Sequence, residues 1–497
     1  MKSKTIVVLV SVIVLASMLL SACGKAEISS ADTIIIGTTD KIASLDPADS
    51  YSTHDWEIIK NISDGLVAWK PGTTDLEPVL ATDLGTVSDD GLTYTFTLKD
   101  GIKFADGTEL TATMYASQLN RLLTIGPSCP NDVADALAVP YIKSISAPDD
   151  KTMVFELNTA IGYFRNILAT APFVASLSST FPEDECVLFP EAPIYGTGAW
   201  YLESYNPDEQ MVFKPNKYYT GNYPAQAEQL INRFYSDPNT MSLAVQSGEI
   251  DIAWRFLSAD QIAELEGIEG LTIGMIDGGG IRFLQLNMTM APTDDPNVVK
   301  AIAASIDRNE ISDTVFGGQV APLYSMVPPG FLGANEAFDT TYASPNLDAA
   351  KAFLADSGYT ADNPLELDLW YPPEHYGAAT ASWMQIIEKQ LEATGAINVE
   401  LQAQEWSTYI TALVGGESYP VGVLGWFFDY PDPSNYLDPF VYNGGMGNNL
   451  TAAMEGSVTG DPINDDAATL VDLLAKADVE VDDAKRIALY EEAQALY

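Results

Sequence analysis

Thr93-Tyr94-Thr95-Phe96-Thr97-Leu98-Lys99-Asp100-Gly101-Ile102-Lys103-Phe104-Ala105-Asp106-Gly107 is the stretch from which the fold is read. Tyr94, Phe96 and Leu98 alternate with threonines, the period of a strand with one buried face. Asp100-Gly101 turns the chain into Ile102-Lys103-Phe104, and Asp106-Gly107 turns it again. Working outward, residues 33–38 with Ile34, Ile35 and Ile36 form a buried first strand, and residues 152–157 alternate like 93–98. Leu347, Ala350, Phe353 and Leu354 recur at helical spacing, with Asn346 placed to cap that helix and Gly358 to stop it. A second helix over residues 382–391 is followed by a strand over 399–402. Strands and helices interleave throughout, which predicts a mixed α/β fold rather than a sandwich or a bundle. No short-period repeat or low-complexity linker interrupts them.

The chain is 497 residues long and 47% hydrophobic, enough for a large core divided into more than one domain. Its 24 basic residues face 69 acidic ones, a formal net charge of −45. Such a field excludes nucleic acid and anionic lipid headgroups as partners. It does not name a ligand, because salt screens it within about 8 Å.

The N-terminus decides the compartment. Lys2 and Lys4 precede an apolar run over residues 6–20, which ends in Leu20-Ser21-Ala22-Cys23. These are the three parts of a secretory signal, and the run is shorter than the ~20 residues a membrane-spanning helix needs. Leu20-Ser21-Ala22-Cys23 resembles the bacterial lipobox. That resemblance implies a signal peptide over residues 1–22, a diacylglycerol thioether on Cys23, and a lipidated tether over residues 23–32. The protein is therefore expected to be exported and anchored on the outer face of the cell membrane, or facing the periplasm. Cys129 and Cys186 remain, and in an oxidising compartment they are either a disulfide or two buried thiols.

Catalytic signatures are missing. His54 and His375 stand far apart with no metal-ligand spacing around them, so no metal site and no cofactor is expected. No nucleophile elbow, zinc-protease motif or phosphate-binding loop occurs, and Gly278-Gly279-Gly280 and Gly444-Gly445 read as turns. The chain is not expected to be an enzyme. What stands out is Gly425-Trp426-Phe427-Phe428-Asp429-Tyr430-Pro431-Asp432-Pro433-Ser434-Asn435-Tyr436, which crowds aromatics around Asp429 and fixes the backbone with prolines. It reads either as a packed strand ending in a turn or as a recognition strand whose carboxylate accepts an amine.

Several motifs in order resemble the solute-binding lipoproteins of peptide-type ABC importers, the oligopeptide and dipeptide binders. They are Leu45-Asp46-Pro47, Ile62-Ser63-Asp64-Gly65-Leu66, the Leu98–Gly107 block, Gly196-Thr197-Gly198-Ala199-Trp200-Tyr201 and Gly248-Glu249-Ile250-Asp251. Ile306-Asp307-Arg308, Val327-Pro328-Pro329-Gly330 and the Trp426–Pro433 segment follow. The resemblance implies a class II-type periplasmic-binding clamp of two lobes with an extra α/β subdomain inserted in lobe I. Lobe I would comprise residues 33–66 and 191–277, the inserted subdomain 67–190, and lobe II 278–497. Family members return to lobe I after a helix resembling residues 486–497. This sequence stops there, so the C-terminus is expected to be truncated.

In the peptide-binding members the ligand lies extended between the lobes, paired to backbone on both sides. By position, Ser52, Thr53 and neighbouring Tyr51 would supply the lobe I side, and Trp426, Phe427, Phe428 and Asp429 the lobe II side. Asp429 would bridge the ligand's amino terminus. The expected partners are a peptide, the permease subunits of an ABC transporter and the membrane reached through Cys23, with the receptor itself a monomer. An oligosaccharide or another small solute in the same fold is the alternative, and a hydrolase or an adhesin a more distant one.

Overall fold

The computed structural model describes residues 32–131, 133–255, 257–276, 278–287, 290–377, 379–414, 419–441 and 465–497. Cys23, the signal peptide expected before it and the Gly444-Gly445 cluster lie outside them. Among the described residues three larger sheets organise the chain, beside a two-stranded one, Val67–Trp69 with Leu76–Pro78. The first has the strand order Ile252–Ala253, Thr33–Thr38, Gln229–Phe234, Gln210–Pro215, Trp200–Asn206. Its first strand runs parallel to residues 229–234, from Thr33 opposite Gln229 to Thr38 opposite Phe234. Ile34, Ile35 and Ile36 are only half-buried; full burial begins at Gly37.

The second sheet has the order Ile281–Leu286, Val421–Trp426, Leu365–Tyr371, Ile397–Ala403. Helices Leu347–Asp356, capped by the Asn346 side chain, and Ala379–Glu392 cover one face and bury Leu354, Trp383, Ile387 and Leu391. The third sheet, Thr86–Val87, Thr93–Thr97, Thr152–Leu157, Ile142–Ser146, is inserted in the sequence between the first strand of the first sheet and the rest of it. Tyr94 and Phe96 face its core as the alternation requires. At the following turn Gly107 takes φ 96°, where a side chain is disfavoured, while Asp106 accepts from the Thr108 amide at 2.8 Å.

Quoted motifs meet in space. Residues 62–66 dock on residues 196–198 through Gly198 N–H to Ile62 O at 3.0 Å and Asp64 N–H to Thr197 Oγ1 at 3.0 Å. Asp46 of Leu45-Asp46-Pro47 is buried and pairs bidentately with Arg121, at 2.7 and 2.6 Å. Nearby, Cys129 and Cys186 are joined as a disulfide, Cα atoms 5.9 Å apart.

Candidate functional site

The first wall comes from the start of helix Thr53–Ile62. Ser52 caps it, its Oγ accepting from Asp55 N–H at 3.2 Å and its carbonyl from Trp56 N–H at 3.1 Å. Both Ser52 oxygens are thus committed to the helix, and Thr53 is its first residue. Tyr51 stands in front, 40% exposed, its ring 6.1 Å from that of Trp56. On the same helical turn His54 Nδ1 lies 3.2 Å from Glu57 Oε2. Arg255 donates to Asp40 at 2.8 Å and to Glu57 at 3.1 Å. Arg255 holds φ 53°, a strained value for a non-glycine residue that clusters at functional sites.

The second wall is the strand Val421–Trp426 and the loop after it. The strand ends at Trp426, opposite Ile281, so Phe427, Phe428 and Asp429 lie beyond the ladder rather than in it. The partner strand starts only at Ile281, after the glycine cluster, so among the described residues no strand pairs with them. Pairing with residues 365–371 stops at Gly422. Asn435, on the first turn of helix Ser434–Val441, fixes the loop: its Oδ1 accepts from Asp429 N–H at 2.9 Å and from Trp426 Nε1 at 3.2 Å.

The walls meet at Asp429. Its Oδ2 accepts from Asn435 Nδ2 at 3.2 Å and from the Tyr51 hydroxyl at 3.2 Å. Oδ1 accepts no hydrogen bond among the described residues, which leaves it for an incoming donor. Burial pushes the carboxyl up to about 6, against the opposing pull of the Asn435 and Tyr51 hydrogen bonds. Burial, and then the Asp429 charge, hold the Tyr51 phenol far above its ordinary value, so it stays a donor.

Sequence reasoning missed Arg282, on strand Ile281–Leu286 directly opposite Gly425. Its guanidinium lies over the rings of Tyr376 (4.4 Å) and Phe427 (4.7 Å), and Nη1 donates to Ile281 O at 2.8 Å. No carboxylate lies within ion-pair reach of it among the described residues. In a chain with nearly three acids per base that is a conspicuous vacancy for an anion. His375 stacks on Trp406 at 3.5 Å, held below its usual range by burial and by Arg282. A basic residue inside the apolar run Ile281-Arg282-Phe283-Leu284 was the available signal. The second wall thus carries an anion in the loop after strand Val421–Trp426 and a cation on the neighbouring strand, each flanked by rings. No cluster of three metal-ligating side chains occurs among the described residues.

A carboxylate and an arginine set among rings where the two walls meet are the chemistry that a small-solute receptor requires. Residues 75–448 match the middle region of the bacterial extracellular solute-binding proteins, family 5, and the chain belongs to that family of binding proteins. It is 28% identical over 417 residues to the probable D,D-dipeptide-binding periplasmic protein DdpA of Escherichia coli, covering 82% of this chain and 77% of that one. Heme-binding protein A of Haemophilus influenzae is 25% identical over 459 residues, covering 87% and 81%. Among solved structures, the substrate-binding protein CtaP of Listeria monocytogenes shares the fold with a TM-score of 0.78 at 21% identity, covering 93% and 89%.

Proposed function

We propose that this protein captures short peptides between its lobes and delivers them to an ABC permease without chemical change, as a monomer held to the membrane by lipid on Cys23. Lobe I comprises residues 33–66 and 191–277, with 67–190 inserted, and lobe II residues 278–497. The observation that carries the reading is Asp429, a carboxylate enclosed at the lobe junction with Oδ1 unoccupied. An ammonium there gains a charge-assisted hydrogen bond in a poorly hydrated setting. Phe427 and Tyr376 flank Arg282, which takes the ligand's carboxylate. Trp426, Phe427 and Phe428 provide apolar contact, and Tyr51 closes from the opposite wall. Ser52 and Thr53 act through backbone, Thr53 with its amide at the start of the helix.

Calorimetry with a free tripeptide and its N-acetylated form tests this. Asp429→Asn leaves a ligand ammonium without its counter-charge, which costs about 2–5 kcal/mol, at least ~30-fold in affinity. Acetylation should cost the native protein comparably and the variant little more. Affinity should also fall as pH drops below about 6, approaching tenfold per unit, because Asp429 must lose its proton to pair. Equal binding of free and acetylated peptide would return the ligand class to other solutes, including sugars. Separately, Cys23→Ser should release the protein from membranes; full retention without an acyl adduct would refute the anchor.

A further inference from the structure

A second charged cluster flanks the first wall and involves neither Asp429 nor Arg282. Strands Thr33–Thr38 and Ile252–Ala253 run parallel, and Asp40 and Arg255, just past their carboxyl ends, meet there. The carboxyl ends of parallel strands are where open α/β sheets bind their ligands. Arg255 donates from Nε to Asp40 Oδ2 at 2.8 Å and from Nη2 to Glu57 Oε2 at 3.1 Å. Glu57 Oε2 also accepts from Trp254 Nε1 at 3.3 Å and from His54 Nδ1 at 3.2 Å. All these bonds fall on one oxygen of each carboxylate. Asp40 Oδ1 and Glu57 Oε1 accept no hydrogen bond among the described residues. Asp55, the other acid on this helical turn, is spent on the Ala43 and Ser44 amides at 2.9 and 3.0 Å.

The charges do not balance. One guanidinium serves two carboxylates, and His54 adds no charge: its Nε2 faces the Asn232 amide nitrogen, a donor, at 3.4 Å, so the ring proton is on Nδ1. Lys41, next to Asp40 in the chain, is exposed and forms no ion pair among the described residues. Asn232, on strand Gln229–Phe234, is 5% exposed, and its Oδ1 is buried beside the His54 ring without a partner among the described residues. The cluster is thus short of donors as well as of positive charge. Asp40 and Glu57 remain reachable, their side chains 17% and 32% exposed. Glu57 lies one turn past Thr53, so the two share a face of helix Thr53–Ile62, ~5–6 Å apart at Cβ. Thr53 is exposed, and the start of that helix meets Asp429 through Tyr51. We propose that Asp40 and Glu57 form a subsite for a cationic side chain of the ligand, an ammonium or guanidinium that donates to Glu57 Oε1 and Asp40 Oδ1. These are charge-assisted hydrogen bonds, and the bound cation neutralises the cluster. The subsite rests on the peptide reading above and narrows it to peptides that carry a basic residue.

Calorimetry of the full-length protein with tripeptides carrying one lysine at the first, second or third position, each against its norleucine counterpart, tests the subsite. Norleucine keeps the aliphatic stem of lysine and drops only the ammonium. At one position lysine should bind at least ~10-fold more tightly than norleucine. In Glu57→Gln, where Arg255 and Asp40 balance, that preference should shrink to about threefold or less. Equal affinities for lysine and norleucine at all three positions overturn the subsite and leave the peptide reading in place. An undiminished preference in Glu57→Gln does the same. Failure of every peptide to bind overturns both. If Glu57→Gln does not fold, Asp40→Asn takes its place with the same expectation.

Discussion

The two buried aspartate–arginine pairs are alike in geometry and opposite in loading. Asp46 and Arg121 meet bidentately, and their remaining capacity goes to backbone: Ala48 and Val187 amides on Asp46, and Pro182 and Glu185 carbonyls on Arg121. One anion meets one cation and nothing titratable is added. Asp432 and Arg486 meet just as closely, with Ser434 N–H and Oγ also on Asp432. Beside them, however, lies a further buried acid, Asp438, whose carboxyl burial and its acidic neighbours hold well above the usual range. The two pairs therefore differ by the titratable groups packed beside them, not by the geometry of the pair itself.

Breaking the balanced pair should have the largest effect. Arg121→Met leaves Asp46 buried without its cation and should cost roughly 3–5 kcal/mol in urea denaturation. A loss under about 1 kcal/mol would mean the pair does not hold this region together. The neighbouring disulfide closes a span of 57 residues, and replacing both Cys129 and Cys186 by Ser should cost about 4 kcal/mol in the chain-entropy model. Two alkylatable thiols in the unfolded, unreduced chain would remove the basis for that figure.

The overloaded pair should respond to pH instead. Burial, then Asp478, holds the Asp438 carboxyl well above the usual range, so the folded state binds a proton that the unfolded chain releases. Stability should therefore fall as pH rises above the ordinary carboxylate range, by up to ~1.4 kcal/mol per unit, until the folded group itself ionises. Asp438→Asn should flatten that slope; an unchanged slope places the titration elsewhere. The smallest effect belongs to Asp429. With its carboxyl raised to about 6, Asp429→Asn should stabilise the ligand-free protein above pH 6 by on the order of 1 kcal/mol, and by nothing below pH 4. Melting temperatures at pH 4 and pH 8 check it.

Local order was legible from the sequence wherever one segment carried its own pattern. The alternation at Tyr94 and Phe96, the Asp106-Gly107 turn and the Asn346-capped helix each depend on neighbours a few residues away. The aromatic crowding around Asp429 was legible too, because it lies within one strand and the loop after it. The Tyr51–Asp429 bond was not, since its partners are 378 residues apart and no local period records such a meeting. Arg282 went unnoticed because what distinguishes it is a missing partner, which only packing reveals. Asn435 reads as an ordinary helix-start residue until its amide is seen holding both Trp426 and Asp429.

Tyr430 bears on how long a ligand would stay. It follows Asp429 by one peptide bond, yet its ring is 4% exposed and sits in the core of the third-sheet unit, stacked on Tyr163. Swinging the Asp429 loop away from a bound solute draws that ring out of its seat. Exposing a buried side chain of this size costs about 1.5–3 kcal/mol, a factor of roughly 10–150 in rate if the cost falls on the escape step. On the proposed reading, residence time would be set partly by an aromatic ring buried outside the proposed ligand contacts.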